Sequence, residues 1–219
     1  MQPEDLVTLF NGEGGEYTAT ILRMGRSDVI VRVGEKTDPS RELSLRVNLW
    51  CGITANERMD WLVEKATELG AVSLLPISAE RSVLKLKGER SDKKLAHWQA
   101  IAVAASEQCG RNQVMAVTPP LTLAQALMAT PAAQPSQARW ILSLAPGSQT
   151  LSAAFEEAKK SAQSLPFEVT VLSGPEGGLS PSEEAQALAA GFVPVSLGPR
   201  VLRAETAPVA VLSVLGAWT

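Results

Sequence analysis

The sequence has 219 residues and a formal net charge of −3, with 45% hydrophobic and 20% charged residues. This balance is typical of a globular protein, and the negative charge argues against a dedicated non-specific nucleic-acid binder, which is usually basic overall. No segment approaches the roughly 18 apolar residues of a membrane span, and the start lacks the regions of a signal peptide, so we expect a cytoplasmic protein with no membrane partner.

The first 47 residues predict a small antiparallel β unit. Apolar and β-branched residues dominate or alternate in DLVTLF, EYTATIL, DVIVRV and ELSLRVNLW, and the turn-forming segments NGEGG, MGRS and KTDPS separate them. Three or four strands are few for an independent barrel, so we expect an incomplete β domain over residues 1–47.

After Leu49, predicted helices alternate with predicted strands. Apolar residues at helical spacing predict helices in NERMDWLVEKATELG, DKKLAHWQAIAVAASEQCG, LTLAQALMA, TLSAAFEEAKKSAQ, SPSEEAQALAAG and AETAPVAVLSVLGAW. Apolar runs predict buried strands in AVSLLPIS, RWILSLA, FEVTVLS and PVSLG, and TPAAQPSQA at 130–138 predicts a surface loop. The alternation indicates an α/β domain over 48–219, whose parallel sheet is covered by helices on both faces.

The cysteines and the histidine do not suggest a reactive or metal-binding group. Cys51 and Cys109 are far apart, and both lie in apolar contexts. Without a Cys/His cluster, we expect two reduced structural thiols and no metal site. The single histidine, His97, falls inside a predicted helix beside Trp98, where we expect a structural role.

A glycine-rich segment, SGPEGGLS at 173–180, joins a predicted strand to a predicted helix. Ser180 can cap that helix, Pro181 suits its first position, and Glu183 completes a capping box. In an open parallel sheet, ligands bind beyond the carboxyl ends of the strands, where glycine backbone can donate N–H groups without obstruction. The alternative is a tight turn without a ligand, which the density of glycine disfavours.

This segment does not match a phosphate-binding loop. The P-loop needs a Lys-Ser/Thr pair after its second glycine, and the dinucleotide-binding fingerprint needs G-x-G-x-x-G. Here the order is G-P-E-G-G-L-S, and Glu176 would repel a phosphate. The carboxylate favours a neutral or cationic ligand.

A second candidate segment is SLGPRVLRAETAPVAVL at 196–212, which also follows a predicted strand. Arg200 and Arg203 precede an apolar helix, where positive charge is unfavourable, whereas Glu205 suits the helix dipole. A flat ligand such as adenine fits among the interleaved apolar residues. The alternative, an ordinary helix N-terminus, leaves the two arginines unexplained.

A local basic segment lies between Arg81 and Lys94, where six basic residues outnumber two acidic ones. Such a segment can supply the phosphate contacts of an RNA site. The alternative is a solvated loop followed by a helix start, and the sequence leaves both open.

The two loops together give a resemblance to a known family. GPEGGLS, followed by LGPRVLRAETA, resembles the RsmE family, bacterial methyltransferases of the SPOUT class that methylate N3 of a uridine in small-subunit ribosomal RNA. EKATELGA, LLPISAERS and AVAASEQCGRN resemble further segments of that family, and the resemblance covers nearly the whole chain from Asp5 onward. The family normally carries a further, partly basic segment before the position of DLVTLF, which implies weaker RNA binding here.

The resemblance implies a trefoil knot in the C-terminal SPOUT domain, a PUA-like RNA-binding N-terminal domain and a homodimer. It also implies that two knot loops hold S-adenosylmethionine (SAM) in a bent pose, with Glu176 near the sulfonium or its amino group. The cofactor pocket carried over by position comprises Leu144, Leu172, Gly174, Glu176, Gly177, Leu197, Gly198, Leu202 and Ala207.

The expected substrate is 16S ribosomal RNA within the small ribosomal subunit. Uracil N3–H must lose its proton, so we expect Arg203 to stabilise charge on the uracil oxygens, with Glu205 as base or orienter and Arg111 as a second cation. The residues expected to bind RNA are Arg81, Lys85, Lys87 and Arg200. Two other functions remain open: a non-catalytic RNA-binding or assembly factor that keeps the pocket, and an enzyme that uses another nucleotide.

Overall fold

Two β-sheets organise the residues that the structure describes, one at the N-terminus and one in the remainder. The computed structural model describes residues 1–131, 134, 136–162 and 167–218. Residues 132, 133 and 135, within the segment predicted to be a surface loop, lie outside the described residues. None of the described helices is long and apolar enough to cross a membrane.

The N-terminal sheet is antiparallel, as its sequence predicts. Its strands are β1 (Leu6–Leu9), β2 (Glu16–Met24) and β3 (Val29–Thr37), in the order β1-β2-β3. Two register shifts interrupt the pairing of β2 with β3, and such bulges increase the local twist. Ala19 and Ile21 are buried, whereas most of β3 is exposed, so the packed part of this sheet is small.

In the described part of the chain, the second sheet contains seven strands, all paired in parallel. They are β4 (Arg46–Gly52), β5 (Ser73–Ile77), β6 (Ala116–Val117), β7 (Gln137–Leu142), β8 (Gln149–Thr150), β9 (Glu168–Ser173) and β10 (Val193–Ser196). Their order is β6-β5-β4-β9-β7-β10-β8, which confirms the predicted parallel sheet. β6 and β8 have two residues each, too few to give a sequence pattern.

The structure corrects the assignment of ELSLRVNLW to the N-terminal β unit. This segment supplies β4, which lies inside the parallel sheet between β5 and β9. Val47, Leu49 and Cys51 are almost fully buried, and Trp50 on the opposite face is 8% exposed. A strand covered on both faces is a continuous apolar run rather than an alternating one. The N-terminal unit therefore ends before Arg46, slightly earlier than the predicted boundary at residue 47.

Helices cover both faces of the parallel sheet. They are α1 (Asn56–Glu68), α2 (Glu89–Cys109), α3 (Leu123–Ala129), α4 (Leu151–Ser161), α5 (Pro181–Ala189) and α6 (Thr206–Trp218). Residues of α1, α2, α4 and α6 pack on one face around Trp98 and Phe167. Residues of α3 and α5 pack on the other face around Trp50. All six predicted helices are confirmed.

The strand order brings three loops to one place. β9 lies between β4 and β7, and β7 lies between β9 and β10. Because these strands are parallel, their carboxyl ends share one edge of the sheet. The loops that follow β7, β9 and β10 therefore begin next to one another. This edge is where ligands bind in open α/β sheets.

The N-terminal sheet is attached to the opposite edge through the loop that follows α2. The Val114 N–H donates to Gly12 O at 3.0 Å, and the Gly14 N–H donates to Asn112 O at 3.0 Å. Glu13 also forms an antiparallel bridge with Gln113. This backbone pairing holds the small sheet against the amino-terminal end of the parallel sheet.

Candidate active site

A cavity of about 600 Å³ lies at the carboxyl edge of β7, β9 and β10. Three loops supply most of its lining: 143–145 after β7, 174–179 after β9 and 197–204 after β10. We call the second the glycine loop and the third the arginine loop. The volume is that of a small-molecule site, and the lining combines apolar side chains with backbone polar groups, as is usual for such sites.

The glycine loop needs its glycines for its own packing. A Cβ at Gly174 would lie 2.9 Å from the Leu179 nitrogen and 3.0 Å from the Gly178 carbonyl carbon. Gly178 has a φ of +69°, in the left-handed region that favours glycine. The tight-turn interpretation therefore accounts for these two glycines, and their presence alone does not indicate a ligand.

Gly52, at the end of β4, is a residue that the sequence analysis missed. A Cβ there would lie 2.2 Å from the Pro175 nitrogen and 2.7 Å from the Gly174 carbonyl carbon. The glycine loop therefore crosses directly over the end of β4. The sequence does show a glycine at the end of a buried strand. The need for glycine there, however, follows from the pairing of β4 with β9, which the sequence does not reveal.

Side chains from other elements hold the glycine loop in place. The predicted capping box is confirmed: Ser180 Oγ accepts from the Glu183 N–H at 3.2 Å, and Glu183 Oε2 accepts from the Ser180 N–H at 2.8 Å. Glu183 Oε1 also accepts from the Glu80 N–H at 2.9 Å, so one buried carboxylate joins the segment after β5 to the glycine loop. The loop is therefore a fixed wall of the cavity.

The basic residues predicted to bind RNA have structural contacts as well. Arg81 Nη1 donates to Gly177 O at 3.3 Å and to Leu179 O at 3.2 Å, so Arg81 supports the glycine loop from outside. Lys85 Nζ donates to Ala79 O at 2.9 Å and to Glu80 O at 3.0 Å. Both side chains remain exposed, as does Lys87, and none of the three lines the cavity.

A carboxylate and an arginine face each other at the cavity wall. Glu176 Oε1 accepts from the Ala55 N–H at 3.0 Å and from Arg58 Nη1 at 3.2 Å. Partial burial raises the pKa of Glu176, but the Ala55 hydrogen bond and the charge of Arg58 outweigh it and hold the pKa below its ordinary value. Glu176 is therefore ionised at neutral pH and places negative charge beside the cavity.

Arg58 was not identified from the sequence. It lies in the first turn of α1, where the helix dipole disfavours a cation, the same signal that marked Arg200 and Arg203. Its Nε lies 3.8 Å from Glu205 Oε1, so its guanidinium stands between two carboxylates. Arg58 thus connects the glycine loop to the start of α6.

Eight of the predicted site residues line the cavity together. They are Leu144, Gly174, Glu176, Leu197, Arg200, Leu202, Arg203 and Ala207. Three residues predicted to bind the cofactor do not line it. Leu172 is buried in the core beneath it, Gly177 packs against Arg81, and Gly198 adopts a φ of +104° in the arginine loop. Glu205 lines an adjoining cavity.

Arg111 does not belong to this site, which corrects its assignment as a second catalytic cation. Its Nη1 donates to Thr67 O at 2.7 Å and to Ala71 O at 3.1 Å, and its Nε donates to Glu42 Oε1 at 3.0 Å. Thr67 and Ala71 lie at the end of α1 and before β5, and Glu42 precedes β4, so the partners of Arg111 lie at the opposite edge of the sheet from the cavity. With 4% exposure, Arg111 is a buried structural residue.

The residues of the main cavity fit SAM. Apolar side chains from the arginine loop, together with Leu144, offer a surface for a flat adenine ring. Glu176 and Glu184 provide negative charge for a sulfonium and an ammonium group, which makes the cavity better suited to a cationic ligand than to a phosphate. Arg200 and Arg203 add positive charge to the wall, which suits a second reactant that develops negative charge.

The two cysteines lie outside the cavity lining, and both are free thiols. Burial raises the pKa of Cys51 to about 12, so its thiol is protonated and unreactive at neutral pH. His97 Nε2 lies 3.0 Å from Asp60 Oδ2, and Trp98 Nε1 donates to Asp60 Oδ1 at 3.0 Å. These contacts join α1 to α2 and give His97 the structural surroundings that were expected.

Comparison with known proteins identifies the kind of domain. A family model described as an RNA methyltransferase domain matches residues 41–216. The ribosomal RNA small subunit methyltransferase E of Bacillus subtilis is 31% identical over 230 residues, an alignment that covers 100% of this chain and 84% of the relative.

Solved structures of similar proteins share the fold. A methyltransferase from Legionella pneumophila in complex with bound SAM is 36% identical, with a TM-score of 0.87, over 100% of this chain and 85% of that one. The ribosomal RNA small subunit methyltransferase E from Neisseria gonorrhoeae, bound to SAM, is 30% identical, with a TM-score of 0.86 and the same coverage.

Proposed function

Since this chain belongs to the RNA methyltransferase family that includes ribosomal RNA small subunit methyltransferase E, the RsmE family, we propose that it methylates N3 of a uridine in 16S ribosomal RNA. The chain is a SAM-dependent ribosomal RNA methyltransferase. The observation that carries the proposal is the cavity where the three loops meet, with both carboxylates and arginines in its wall.

The residues of the main cavity would hold SAM by shape and charge. Leu144, Leu197 and Leu202 would contact the adenine, and the ionised Glu176 would lie near the positive end of the methionine part. Gly177, Leu172 and Gly198 would support these residues from behind rather than contact the cofactor. When bound, SAM supplies a methyl group on a positively charged sulfur.

The chain must position uracil and remove its N3 proton. We assign Arg203 to the negative charge that develops on the uracil oxygens, since it lines the cavity and is exposed. Glu205 would take the N3 proton, which would leave an electron pair on N3 for the methyl group that bound SAM would supply, and the methyl–sulfur bonding pair would remain on sulfur. Positioning contributes up to about 7–11 kcal/mol in favourable cases.

We propose the remaining features on the strength of the family. The loops after β9 and β10 belong to a trefoil knot of the SPOUT class, and two chains form a homodimer in the cytoplasm. The N-terminal sheet acts as a PUA-like RNA-binding unit that ends before Arg46, and the catalytic domain begins with β4. Arg81, Lys85, Lys87 and Arg200 contact RNA phosphates, with Arg81 and Lys85 keeping their backbone contacts.

A nucleoside analysis tests the proposed reaction. Small ribosomal subunits from cells that lack this activity are incubated with the protein and SAM, and their 16S ribosomal RNA is digested and analysed by mass spectrometry. We expect 3-methyluridine at a single position in the small subunit. Methylation at a different ring atom or at a ribose would contradict the N3 assignment, and cofactor binding without any transfer would favour a non-catalytic factor.

A further inference from the structure

The segment that follows β5, residues 79–85, supports the glycine loop from outside, and we call it the support segment. The Glu80 N–H donates to Glu183 Oε1 at 2.9 Å, which ties the segment to the start of α5. A Cβ at Gly177 would lie 3.1 Å from Arg81 Cβ and 3.2 Å from Arg81 O, so the two backbones are in contact. The support segment and the glycine loop therefore pack as one unit.

Arg81 uses only one end of its guanidinium for this support. Its Nη1 donates to Gly177 O at 3.3 Å and to Leu179 O at 3.2 Å. Among the residues that the structure describes, Nε and Nη2 have no hydrogen-bond partner, and Arg81 forms no ion pair with a carboxylate. The Nε–H and an Nη2–H of arginine form a planar fork that matches two oxygens of a phosphate. Because Arg81 is an exposed residue, these unused N–H groups are available to a ligand.

The two lysines predicted to bind RNA beside Arg81 differ from it. Lys85 Nζ donates to Ala79 O at 2.9 Å and to Glu80 O at 3.0 Å, so most of its donors are used within the support segment. Lys87 is exposed and has no hydrogen bond or ion pair in the described part of the chain. A lysine ammonium is a point charge on a flexible stem, whereas a guanidinium is a rigid plane. Of these three residues, Arg81 combines an orientation fixed by the protein with a fork of unused donors.

Arg81 is bonded directly to the wall of the main cavity. Gly178 and Leu179 line that cavity, and the Leu179 carbonyl is one of the two acceptors of Arg81. The wall cannot shift easily, because the glycine loop packs against Gly52 and its end is fixed by the capping box. A ligand bound to the unused N–H groups of Arg81 therefore lies at a fixed place relative to the main cavity.

We propose that Arg81 is a positioning residue that binds one backbone phosphate of the RNA substrate through Nε and Nη2 while its Nη1 holds the glycine loop. This inference rests on the proposed function. Transfer requires the acceptor atom to lie in line with the methyl–sulfur bond, and a misplacement of about 1 Å can lower a rate by about 10²-fold. Arg81 therefore acts on the rate of transfer, whereas Lys85 and Lys87 contribute mainly affinity through their charge.

Two variants separate the charge of Arg81 from its geometry. Arg81→Lys keeps the charge but cannot hold the loop and present a fork at once. Small subunits should therefore bind within about threefold of the wild type, while single-turnover transfer slows by about tenfold or more. Arg81→Gln also removes the charge, and the slope of log affinity against log salt concentration should become shallower by about 1. Arg90→Gln, which removes an exposed charge on α2 that has no bond to the glycine loop among the described residues, is the matched control. At saturating small subunits and SAM, it should transfer at the wild-type rate.

Filter binding at several salt concentrations and single-turnover kinetics measure these effects, with small subunits from cells that lack this activity. A wild-type rate of transfer in Arg81→Lys, or an unchanged salt slope in Arg81→Gln, would overturn the proposal. Calorimetry with S-adenosylhomocysteine tests whether Arg81 only supports the loop. We expect the cofactor affinity of both variants to change little, because the capping box and the Glu80–Glu183 bond still hold the loop. A loss of cofactor affinity as large as the loss of transfer rate would make Arg81 a purely structural residue and overturn its positioning role.

Nucleoside analysis of the same reactions separates this proposal from the function on which it rests. Formation of 3-methyluridine by the wild type, together with an unchanged salt slope in Arg81→Gln, would overturn the phosphate contact and leave the function intact. A shallower salt slope in Arg81→Gln, without any methylated nucleoside from the wild type, would overturn the function and support the phosphate contact.

Discussion

The glycine loop and the arginine loop face the same cavity but are held in different ways. The glycine loop is tied to the rest of the fold by the capping box, by Glu183 and by Arg81. The arginine loop relies on local bonds, such as the Gly198 N–H to Ser196 Oγ at 3.2 Å, and its Val201 is 81% exposed. The comparison indicates that one loop forms a rigid wall, while the other presents side chains to the reactants.

The first prediction concerns Arg203 in the arginine loop. Arg203→Ala should lower turnover by about 10²–10³-fold, because it removes a donor to charge that develops in the transition state. The affinity for S-adenosylhomocysteine should change little, and Arg203→Lys should recover part of the turnover. Steady-state kinetics on small subunits together with calorimetry measure both quantities. Equal losses in turnover and cofactor affinity would mean that Arg203 binds the cofactor instead.

The second prediction concerns the support of the glycine loop. Gly52→Ala should destabilise the protein by about 1–3 kcal/mol, because its Cβ would overlap the backbone at Pro175. Urea unfolding measures the change. Gly216→Ala is the control. Gly216 lies inside α6, and a Cβ there would lie 3.5 Å from Leu43 Cδ2, which is an ordinary contact distance. The control should be as stable as the wild type or more stable, by up to about 1 kcal/mol. Equal stability of the Gly52 variant and the control would show that the loop can shift.

The third and smallest prediction concerns the pH dependence of the Glu176 ion pair. The folded-state pKa of Glu176 is lowered, so its contribution to stability is present above the unfolded-state pKa and is lost as the pH falls through the folded-state pKa. Because Arg58 is 39% exposed, solvent screening keeps the contribution to about 0.2–1 kcal/mol. The stability difference between the wild type and Glu176→Gln should therefore shrink on acidification below about pH 4. A stability difference that grows on acidification would contradict this prediction.

Much of the fold was predictable because it follows from local pattern. The six helices and the strands β5, β7, β9 and β10 each carry a clear periodicity or apolar run. The capping box formed by Ser180 and Glu183 could be predicted because its two residues are only three positions apart in the sequence. β4 was assigned to the wrong sheet because a buried strand has the same composition in either setting.

The site was less predictable because its parts meet through strand order. The convergence of β7, β9 and β10 cannot be derived from the segments themselves, and neither can the contact of Gly52 with the glycine loop. Arg58 is far in sequence from Glu176 and Glu205. Arg111 was misassigned because a buried structural arginine and a catalytic one look alike until their partners are known.

The central claim is that the cavity at the ends of β7, β9 and β10 binds the cofactor, and a calorimetric titration with S-adenosylhomocysteine tests it most directly. A substitution at Gly174 would disturb the glycine loop itself, so the blocking variant is Ala145→Trp, at an exposed position of the cavity lining. Met128→Trp, at a position that is 88% exposed and outside the lining, is the control. We predict that the wild type and Met128→Trp bind equally and that Ala145→Trp binds much more weakly, with the same thermal stability. Unimpaired binding by Ala145→Trp would place the cofactor elsewhere and contradict the account.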